Sequence, residues 1–402
     1  MHIFSLHHHI FSTNIIAIKT EHEKTYVQIL TQGAFILKKK SHFLKSILKA
    51  VLLLVLLGNL AFAGLVAVLT VTEYQPAAKE NIAIQNNEGQ SPIAIDQPLR
   101  ILTWNIGYGA LGETADFFMD GGKEVRAATK EEVHENLAQI GKEIATTNAD
   151  VVFLQEVDQN ANRSYHINEA DTLFSLINNK QQPYNNSFAN NFKVSFIPYP
   201  IPPIGKVDAG IMTLTQHAVT SATRVQLPVS FDWPVRTANL KRCLLVHRLP
   251  INGSDKELVM INLHLEAYDK GEGKLAQTRV LKEVLDKEMA KGNYVIAGGD
   301  FNQTFSSLDT SAYPAQEGKW HAGILDVNLF DESWQFLMNN DKPSCRSLDQ
   351  PYVNADHDTF QYYIIDGFIV SKNLHVKQCE TKDLAFRYSD HQPVMMECTF
   401  EK

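Results

Sequence analysis

Residues 50–71, AVLLLVLLGNLAFAGLVAVLTV, form an uninterrupted run of 22 residues that contains no charge. As a helix this run would be about 33 Å long, which is enough to cross the hydrocarbon core of a bilayer. Five lysines lie just before the run, and the next basic residue after it is Lys79. Because basic flanks stay in the cytoplasm, the sequence predicts a single-pass cell-membrane protein whose later residues are extracellular.

The same run also fits a signal peptide that is cleaved from a secreted protein. Ala50–Leu60 would then be its apolar core, and Ala61-Phe62-Ala63 would be the small-residue cleavage site. The apolar residues continue past that site to Val71, so the sequence favours an uncleaved anchor over secretion after cleavage. Both alternatives export the rest of the chain.

The remaining boundaries follow from composition. Residues 1–49 are predicted to be a cytoplasmic tail, and residues 1–36 are interpreted as a start-site artefact, with the natural start near Leu37. Residues 72–98 contain a polar stretch rich in Asn, Gln and Pro, which is typical of a linker. The main domain is therefore predicted to occupy residues 99–402.

The charge of the main domain argues against passive binding to nucleic acid. The first 75 residues hold seven Lys/Arg and three Asp/Glu, which leaves 30 basic and 42 acidic residues in 76–402, a net charge of −12. Electrostatic binding to nucleic acid depends on Lys and Arg that neutralise phosphates. An acidic domain is still compatible with a nuclease that contacts phosphate through a metal ion.

Four cysteines, Cys243, Cys345, Cys379 and Cys398, are widely spaced and form no CxxC pair. Zinc binding through them is therefore not expected. The sequence leaves their disulfide state open.

Apolar runs typical of strands alternate with helical patterns beyond residue 98. Strands are predicted over 99–106, 150–157, 258–265, 293–300, 362–370 and 391–400. One helix is predicted to follow the capping box Thr129–Glu132, and another covers 275–290. This mixture predicts an α/β (α+β) four-layer sandwich of two facing mixed β-sheets flanked by helices, preceded by one N-terminal transmembrane helix.

The stretch AGGDFNQT, residues 297–304, places an acid and an amide two residues apart directly after an apolar strand. In extended chain, Asp300 and Asn302 point to the same side. The acid could hold a metal ion or a water, and the amide could donate to a phosphate oxygen. Alternatively, Asp300 bonds its own backbone in an Asx-turn where the strand ends.

Other polar residues also stand at the ends of apolar runs, where ligands tend to bind open sheets. An acid inside an apolar strand, such as Asp366, is costly to bury without a partner, and we expect His391 to be that partner. The complete set is Asn105, Glu156, His264, Asp300, Asn302, Asp366, Asp390 and His391.

These residues lie in six stretches that resemble motifs of the endonuclease/exonuclease/phosphatase superfamily, whose members share a deoxyribonuclease I-like fold. The stretches, within residues 101–400, are TWNIG, LQEVD, NLHLEAY, GGDFNQT, IIDGFIV and SDHQPV. They occur in the family's order, and the chain resembles an exported, membrane-anchored bacterial member.

The resemblance implies a role for each residue of the set. Glu156 would be the main ligand of a divalent cation, normally Mg²⁺ with Mn²⁺ as an alternative, and Asn105 and Asp390 would complete the metal side. His264 and His391 would contact the phosphate, and Asp366 would orient His391. Asp300 and Asn302 would position the attacking water and the phosphate. The number of metal ions and the identity of the general base stay open.

Mg²⁺ does prefer carboxylate and amide oxygens, which agrees with the implied ligands.

Arg163 could clamp a phosphate, or it could form a surface salt bridge. Lys241 and Arg242 are expected to cover a solvated strand edge. Asp120-Gly121-Gly122 could form a loop near the cleft, since glycines permit close approach, but a plain turn is favoured.

The sequence therefore predicts a monomeric, divalent-metal-dependent phosphoester hydrolase that acts outside the cytoplasm. Small or lipid phosphoesters are the favoured substrates, because the chain has an anchor and an acidic domain. The stretch NLHLEAYD also resembles part of bacterial sphingomyelinases. An extracellular endonuclease of the same chemistry is the alternative. A catalytically inactive surface binding module is less favoured, since every residue of the set is present.

Overall fold

The computed structural model describes residues 4–178, 183–269 and 271–401. Contacts divide the chain into two compact units, with the division after Val68. Helix α1 spans Phe4–Val71, and its segment Thr20–Val71 is long and apolar enough to cross a membrane. A signal sequence near an N-terminus would pass the same test of length and composition.

Beyond α1, the described residues form three α-helices and seventeen strands. The helices are α2 (Lys130–Thr147), α3 (Glu169–Ile177) and α4 (Glu272–Met289). The first nine strands are β1 (Lys79–Ile82), β2 (Leu99–Asn105), β3 (Val151–Asp158), β4 (Asn185–Ile197), β5 (Gly205–Thr215), β6 (Ser221–Gln226), β7 (Cys243–Pro250), β8 (Glu257–His264) and β9 (Tyr294–Asp300). The others are β10 (Gln303–Phe305), β11 (Gly323–Leu325), β12 (Trp334–Leu337), β13 (Cys345–Arg346), β14 (Tyr362–Tyr363), β15 (Asp366–Ser371), β16 (Leu374–Thr381) and β17 (Val394–Phe400).

Two large mixed sheets contain most of these strands. The seven-stranded sheet has the order β1-β6-β7-β8-β9-β15-β12, and the six-stranded sheet has the order β16-β17-β2-β3-β5-β4. Neighbours are antiparallel except β2–β3 in one sheet and β8–β9 in the other. Strands β10–β11 and β13–β14 form two small additional pairs.

The two sheets face each other across an apolar core. Phe153 of the six-stranded sheet and Phe368 of the seven-stranded sheet belong to one buried cluster, and both are fully buried. Helices α2 and α3 cover the outer face of one sheet, and α4 covers the outer face of the other. The predicted four-layer sandwich is confirmed.

Helix α2 shows how local sequence sets an element. Thr129 is the N-cap, and its hydroxyl accepts a hydrogen bond from the Glu132 backbone N–H at 3.1 Å. Asn148 follows the helix in the left-handed conformation. The inward stripe of the helix is fully buried and consists of Val133, Leu137, Ile140 and Ile144.

Part of the segment predicted as a linker, residues 72–98, packs on the domain. Strand β1 pairs with β6 at the edge of the seven-stranded sheet. Further along, Ile93 is 1% exposed and lies in the core between the sheets.

All four cysteines are unpaired. Burial raises the pKa of the Cys243 thiol to about 11 and the pKa values of the other three thiols to about 12.

Candidate active site

Strand register brings three of the predicted residues side by side in the seven-stranded sheet. His264 at the end of β8 lies opposite Asp300 at the end of β9, and Asp366 at the start of β15 lies opposite Asp300 on its other side. Two glycines permit this close pairing: a Cβ on Gly298 would lie 2.4 Å from the Phe368 ring, and one on Gly299 would lie 1.9 Å from the Leu263 carbonyl oxygen.

The expected pair of Asp366 and His391 is present. Asp366 Oδ2 lies 2.8 Å from His391 Nδ1, and both side chains are buried. The other ring nitrogen, Nε2, lies 3.8 Å from Asp300 Oδ2 and 3.9 Å from Asp390 Oδ2. Burial alone would lower the pKa of His391, but the surrounding negative charges, Asp366 foremost, raise it well above its ordinary value.

Asp300 forms the Asx-turn that the sequence offered as one alternative, and it also contacts Asn105 and His264. Its Oδ1 accepts from the Asn302 backbone N–H at 2.8 Å, which is the Asx-turn. Its Oδ2 accepts from Asn105 Nδ2 at 3.0 Å and lies 3.5 Å from His264 Nε2. Burial, opposed by His391 and reinforced by Asp366, raises the pKa of Asp300 to about 7.

Asn302 is placed in the same cluster with a positive φ of 51°. Its side-chain nitrogen donates to the Leu265 carbonyl at 2.9 Å, so that hydrogen bond holds the amide against the end of β8. The side chain is 7% exposed and lines the cavity above the cluster.

Glu156 comes from the six-stranded sheet at an irregularity in the ladder. The pairing of β3 with β5 shifts between Leu154 and Val157, and Glu156 adopts a positive φ of 53°. A bulge of this kind re-aims a side chain. Glu156 Oε1 accepts from Asn105 Nδ2 at 3.1 Å and lies 4.0 Å from His264 Nε2.

Asn105 joins the acids of the two sheets. Its Oδ1 accepts from the Gly107 backbone N–H at 3.0 Å, and its Nδ2 faces Glu156 and Asp300. In this orientation Asn105 is a hydrogen-bond donor, and coordination of a cation by its oxygen would require the amide to turn over.

The donor set fits a divalent cation. Burial, opposed by His391 and reinforced by the nearby Glu156 carboxylate, raises the pKa of Asp390 to about 6. A cation would relieve this repulsion between buried acids. Cys345 also lies within reach of Asp390 and His391, but its thiol has a pKa raised to about 12 by burial and is a poor ligand for Mg²⁺. The carboxylates of Glu156, Asp390 and Asp300 are better suited.

His264 is neutral in this setting. Burial lowers its pKa well below the ordinary value, and Arg242 and His391 add to that shift. Arg242 donates to the His264 carbonyl at 3.3 Å. Among the described residues, His264 Nδ1 has no hydrogen-bond partner.

Arg163 forms a buried ion pair, not the surface salt bridge considered from the sequence. Its Nη2 lies 2.9 Å from Asp158 Oδ1, and its Nε donates to Asp158 Oδ2 at 3.1 Å. The guanidinium carbon lies 3.8 Å from the centre of the Tyr108 ring. Arg163 also lines the cavity, so its predicted contact with a substrate phosphate stays a prediction.

A cavity of about 510 Å³ opens above the cluster. His264, Asp300 and His391 lie in its lining, and most of its wall is apolar. The apolar wall includes Phe117, Phe118, Phe192, Ile197, Tyr199, Ile204, Val235, Leu240 and Trp320.

Sequence reasoning missed several residues of this cavity. Arg242 was expected on a solvated edge, but it is 4% exposed, lies 3.5 Å from Glu266 and lines the cavity; Lys241 is 5% exposed. For Asp120 the sequence favoured a plain turn over a loop near the cleft; the structure places it in the lining of the cavity, and burial raises its pKa to about 6. The stretch NLHLE contained a signal for Arg242. Its last residue, Glu266, is an acid next to the end of a strand, and such an acid needs a basic partner when it is buried.

Comparisons with known proteins agree with this architecture. A model of the endonuclease/exonuclease/phosphatase family matches residues 102–391. The structure is similar to an endonuclease/exonuclease/phosphatase from Beutenbergia cavernae DSM 12333, with a TM-score of 0.53, 16% identity, and coverage of 76% of this chain and 72% of that one. A family protein from Leptotrichia buccalis C-1013-b gives a TM-score of 0.48 and 17% identity over 75% of this chain and 100% of that one. Comparison with curated protein sequences gives no match.

Proposed function

Because the chain belongs to the endonuclease/exonuclease/phosphatase family, we propose that it is a divalent-metal-dependent phosphoester hydrolase of the phosphodiesterase or phosphatase type. The observation that carries this proposal is the buried Asp366–His391 pair, whose second ring nitrogen, Nε2, lies 3.8 Å from Asp300 Oδ2 and 3.5 Å from Asn105 Nδ2 at the floor of the cavity. An imidazole held by a carboxylate beside a second acid is suited to proton transfer and to binding phosphate oxygens.

Glu156 and Asp390 would hold the cation, with Asn105 beside them and Mg²⁺ favoured by the oxygen donors. When bound, the ion neutralises charge on the phosphoryl oxygens and lowers the pKa of a bound water. Asn105 supports this arrangement from the protein side, because its Nδ2 holds the Glu156 and Asp300 carboxylates at 3.1 and 3.0 Å.

Asp366 fixes the orientation of His391 by accepting from Nδ1, which leaves Nε2 for the substrate. Because the surrounding negative charges raise its pKa, His391 is suited to donate a proton from Nε2 to the ester oxygen as the bond between that oxygen and phosphorus breaks. Asp300 is the proposed acceptor of the proton from the attacking water, since a pKa of about 7 suits a base that works near neutral pH. His264 and Asn302 complete the pocket around the phosphate.

For location, we propose that the apolar run is an uncleaved anchor and that the catalytic unit lies outside the cytoplasm. The five lysines before the run and the long apolar helix support this orientation. A protein that resists a salt wash of the membrane, and whose catalytic unit is digested when protease is added to intact cells, would agree with it. Release into the medium would favour cleavage after Ala63.

The activity can be tested on the full chain in detergent micelles with Mg²⁺, using EDTA as the control. The substrates are bis-p-nitrophenyl phosphate, p-nitrophenyl phosphate, a phospholipid in mixed micelles and plasmid DNA. We expect metal-dependent hydrolysis that His391→Ala abolishes. Cleavage of plasmid DNA alone would favour the endonuclease alternative, and folded protein that hydrolyses none of the four would contradict the proposal.

A further inference from the structure

Residues at the end of the apolar run and just past it contact the end of strand β4 and the loop between β6 and β7. Trp233 Nε1 donates to the Thr70 hydroxyl at 3.0 Å, and the Thr72 hydroxyl lies 3.3 Å from the Ser195 hydroxyl. Thr70 and Val71 are the last two residues of the 22-residue run. Trp233 and Ser195 therefore each contact a residue at the C-terminal end of that run or directly after it.

A buried ion pair strengthens this attachment. The Glu73 side chain is 3% exposed, and its Oε1 lies 2.9 Å from Lys241 Nζ and 3.5 Å from Arg236 Nε. Lys241 is itself 6% exposed at its side chain, so the Glu73–Lys241 contact is shielded from solvent. The chain just past the run is thus held in a defined position against residues 233–241.

The end of β4 with the residues after it, and the loop between β6 and β7, form a wall of the cavity and expose apolar side chains. Tyr199, Ile204 and Val235 line the cavity beside the acid–histidine cluster. The exposed apolar residues of residues 196–201 and 229–235, here called the apolar rim, are Phe196, Tyr199, Ile201, Val229, Trp233 and Val235, with exposures between 38% and 95%. Apolar groups concentrated in this way on a water-soluble domain mark a contact surface.

We infer that the apolar rim rests against the membrane that holds the apolar run, and that the substrate is a phosphoester lipid of that bilayer. Tryptophan and tyrosine favour the bilayer interface, and aliphatic side chains such as Ile201 gain by leaving water. The apolar wall of the cavity can contact the apolar part of a lipid next to its head group. The phosphoester of that lipid would then reach the cluster of His264, Asp300 and His391. This inference rests on the proposed function and on an uncleaved anchor.

Tryptophan fluorescence tests the position of the rim independently of catalysis. The chain has four tryptophans; Trp233 is 55% exposed, whereas Trp104 and Trp334 are 1% and 5% exposed and Trp320 is partly buried. The full chain would be reconstituted in phosphatidylcholine vesicles with and without brominated acyl chains, which quench tryptophans close to them. We expect quenching in the wild type that Trp233→Phe removes and that Trp334→Phe preserves. Emission from the wild type that is unaffected by bromination would overturn the inference.

A second experiment tests the lipid substrate. The full chain would be given a phosphoester lipid either in its own vesicle or in separate protein-free vesicles, alongside bis-p-nitrophenyl phosphate in solution. We expect at least tenfold faster lipid hydrolysis within the same vesicle. Ile201→Asp should lower the ratio of lipid to soluble turnover about tenfold. Ile324→Asp, which is 74% exposed and lies outside the cavity lining, should leave that ratio unchanged.

Different results would contradict the lipid substrate and the proposed hydrolase activity. Hydrolysis of the soluble diester without any preference for lipid in the same vesicle would overturn the lipid inference alone. Loss of both hydrolyses in folded protein would overturn the proposed function and the lipid substrate together, and the fluorescence result would still report whether the rim touches the bilayer.

Discussion

Asp366 Oδ2 lies 2.8 Å from His391 Nδ1, although Asp366 begins β15 of the seven-stranded sheet and His391 lies three residues before β17 of the six-stranded sheet. Both side chains are buried, and Asp366 lies opposite Asp300 in the strand ladder. The pair therefore forms only when both sheets are packed. Its geometry depends on the core between them.

Replacing Asp366 with Asn should lower kcat by about a hundred- to a thousandfold, because the imidazole loses the carboxylate that orients it and stabilises its protonated form. Turnover of bis-p-nitrophenyl phosphate at saturating Mg²⁺ measures this change. Asp358→Asn, an exposed position, is the matched control and should retain full activity. A rate near that of the wild type for Asp366→Asn would remove His391 from the mechanism.

Replacing Glu156 with Gln should raise the Mg²⁺ concentration needed for half-maximal activity by about tenfold or more, because one anionic ligand is lost. A Mg²⁺ titration of the initial rate measures the shift. Glu131→Gln on the exposed face of α2 should leave the titration unchanged. If Glu156→Gln lowers only the maximal rate, Glu156 is not a ligand of the ion.

Replacing Arg163 with Ala should reduce the free energy of unfolding by about 3–5 kcal/mol, because Asp158 is left buried without its partner. Glu169 is also buried beside Asp158, to whose backbone N–H it is bonded at 2.8 Å. Arg100 pairs with Glu397 on the surface at 46% exposure, so Arg100→Ala should change the stability by less than about 1 kcal/mol. Denaturant titration in detergent compares the two. Lost turnover at native stability would instead place Arg163 at the substrate phosphate.

His247 should make the fold less stable in mild acid. Burial lowers its pKa from 6.5 to about 4. Above pH 6.5 its ring is neutral in both folded and unfolded chains, and between pH 6.5 and 4 only the unfolded chain gains the proton. The free energy of unfolding should therefore decrease as the pH is lowered from 6.5 to 4, by at most about 3 kcal/mol.

The substitution His247→Leu removes this contribution, so the variant's denaturation midpoint should fall less than that of the wild type between pH 7 and pH 4.5. His375→Leu changes an exposed histidine and should reproduce the wild-type slope. Identical slopes for all three proteins would show that His247 is not held neutral.

Several features could be predicted from the sequence because they depend on local pattern. The capping box at Thr129, the apolar strands and the pairing of Asp366 with His391 follow from helix chemistry, from alternation and from the cost of burying an acid. His264, Asp300 and Asp366 lie together because the ends of adjacent strands meet at one edge of a sheet.

Other features depend on tertiary context, which local pattern does not contain. The bulge that gives Glu156 a positive φ appears only when β3 pairs with β5. Arg163 and Arg242 look like surface residues because their partners, Asp158 and Glu266, become buried only in the folded chain. The apolar wall of the cavity is assembled from distant loops, so it has no signature in one segment.

The unpaired thiols have a consequence for how the protein can be made. Thiolates are the species that exchange with disulfides, and the raised pKa values of these four cysteines keep them protonated at neutral pH. Folding then requires no oxidation step. The catalytic unit can reach the same structure in a reducing cytosol as in an oxidising exterior, and its production needs neither a disulfide-forming catalyst nor a refolding protocol with a redox buffer.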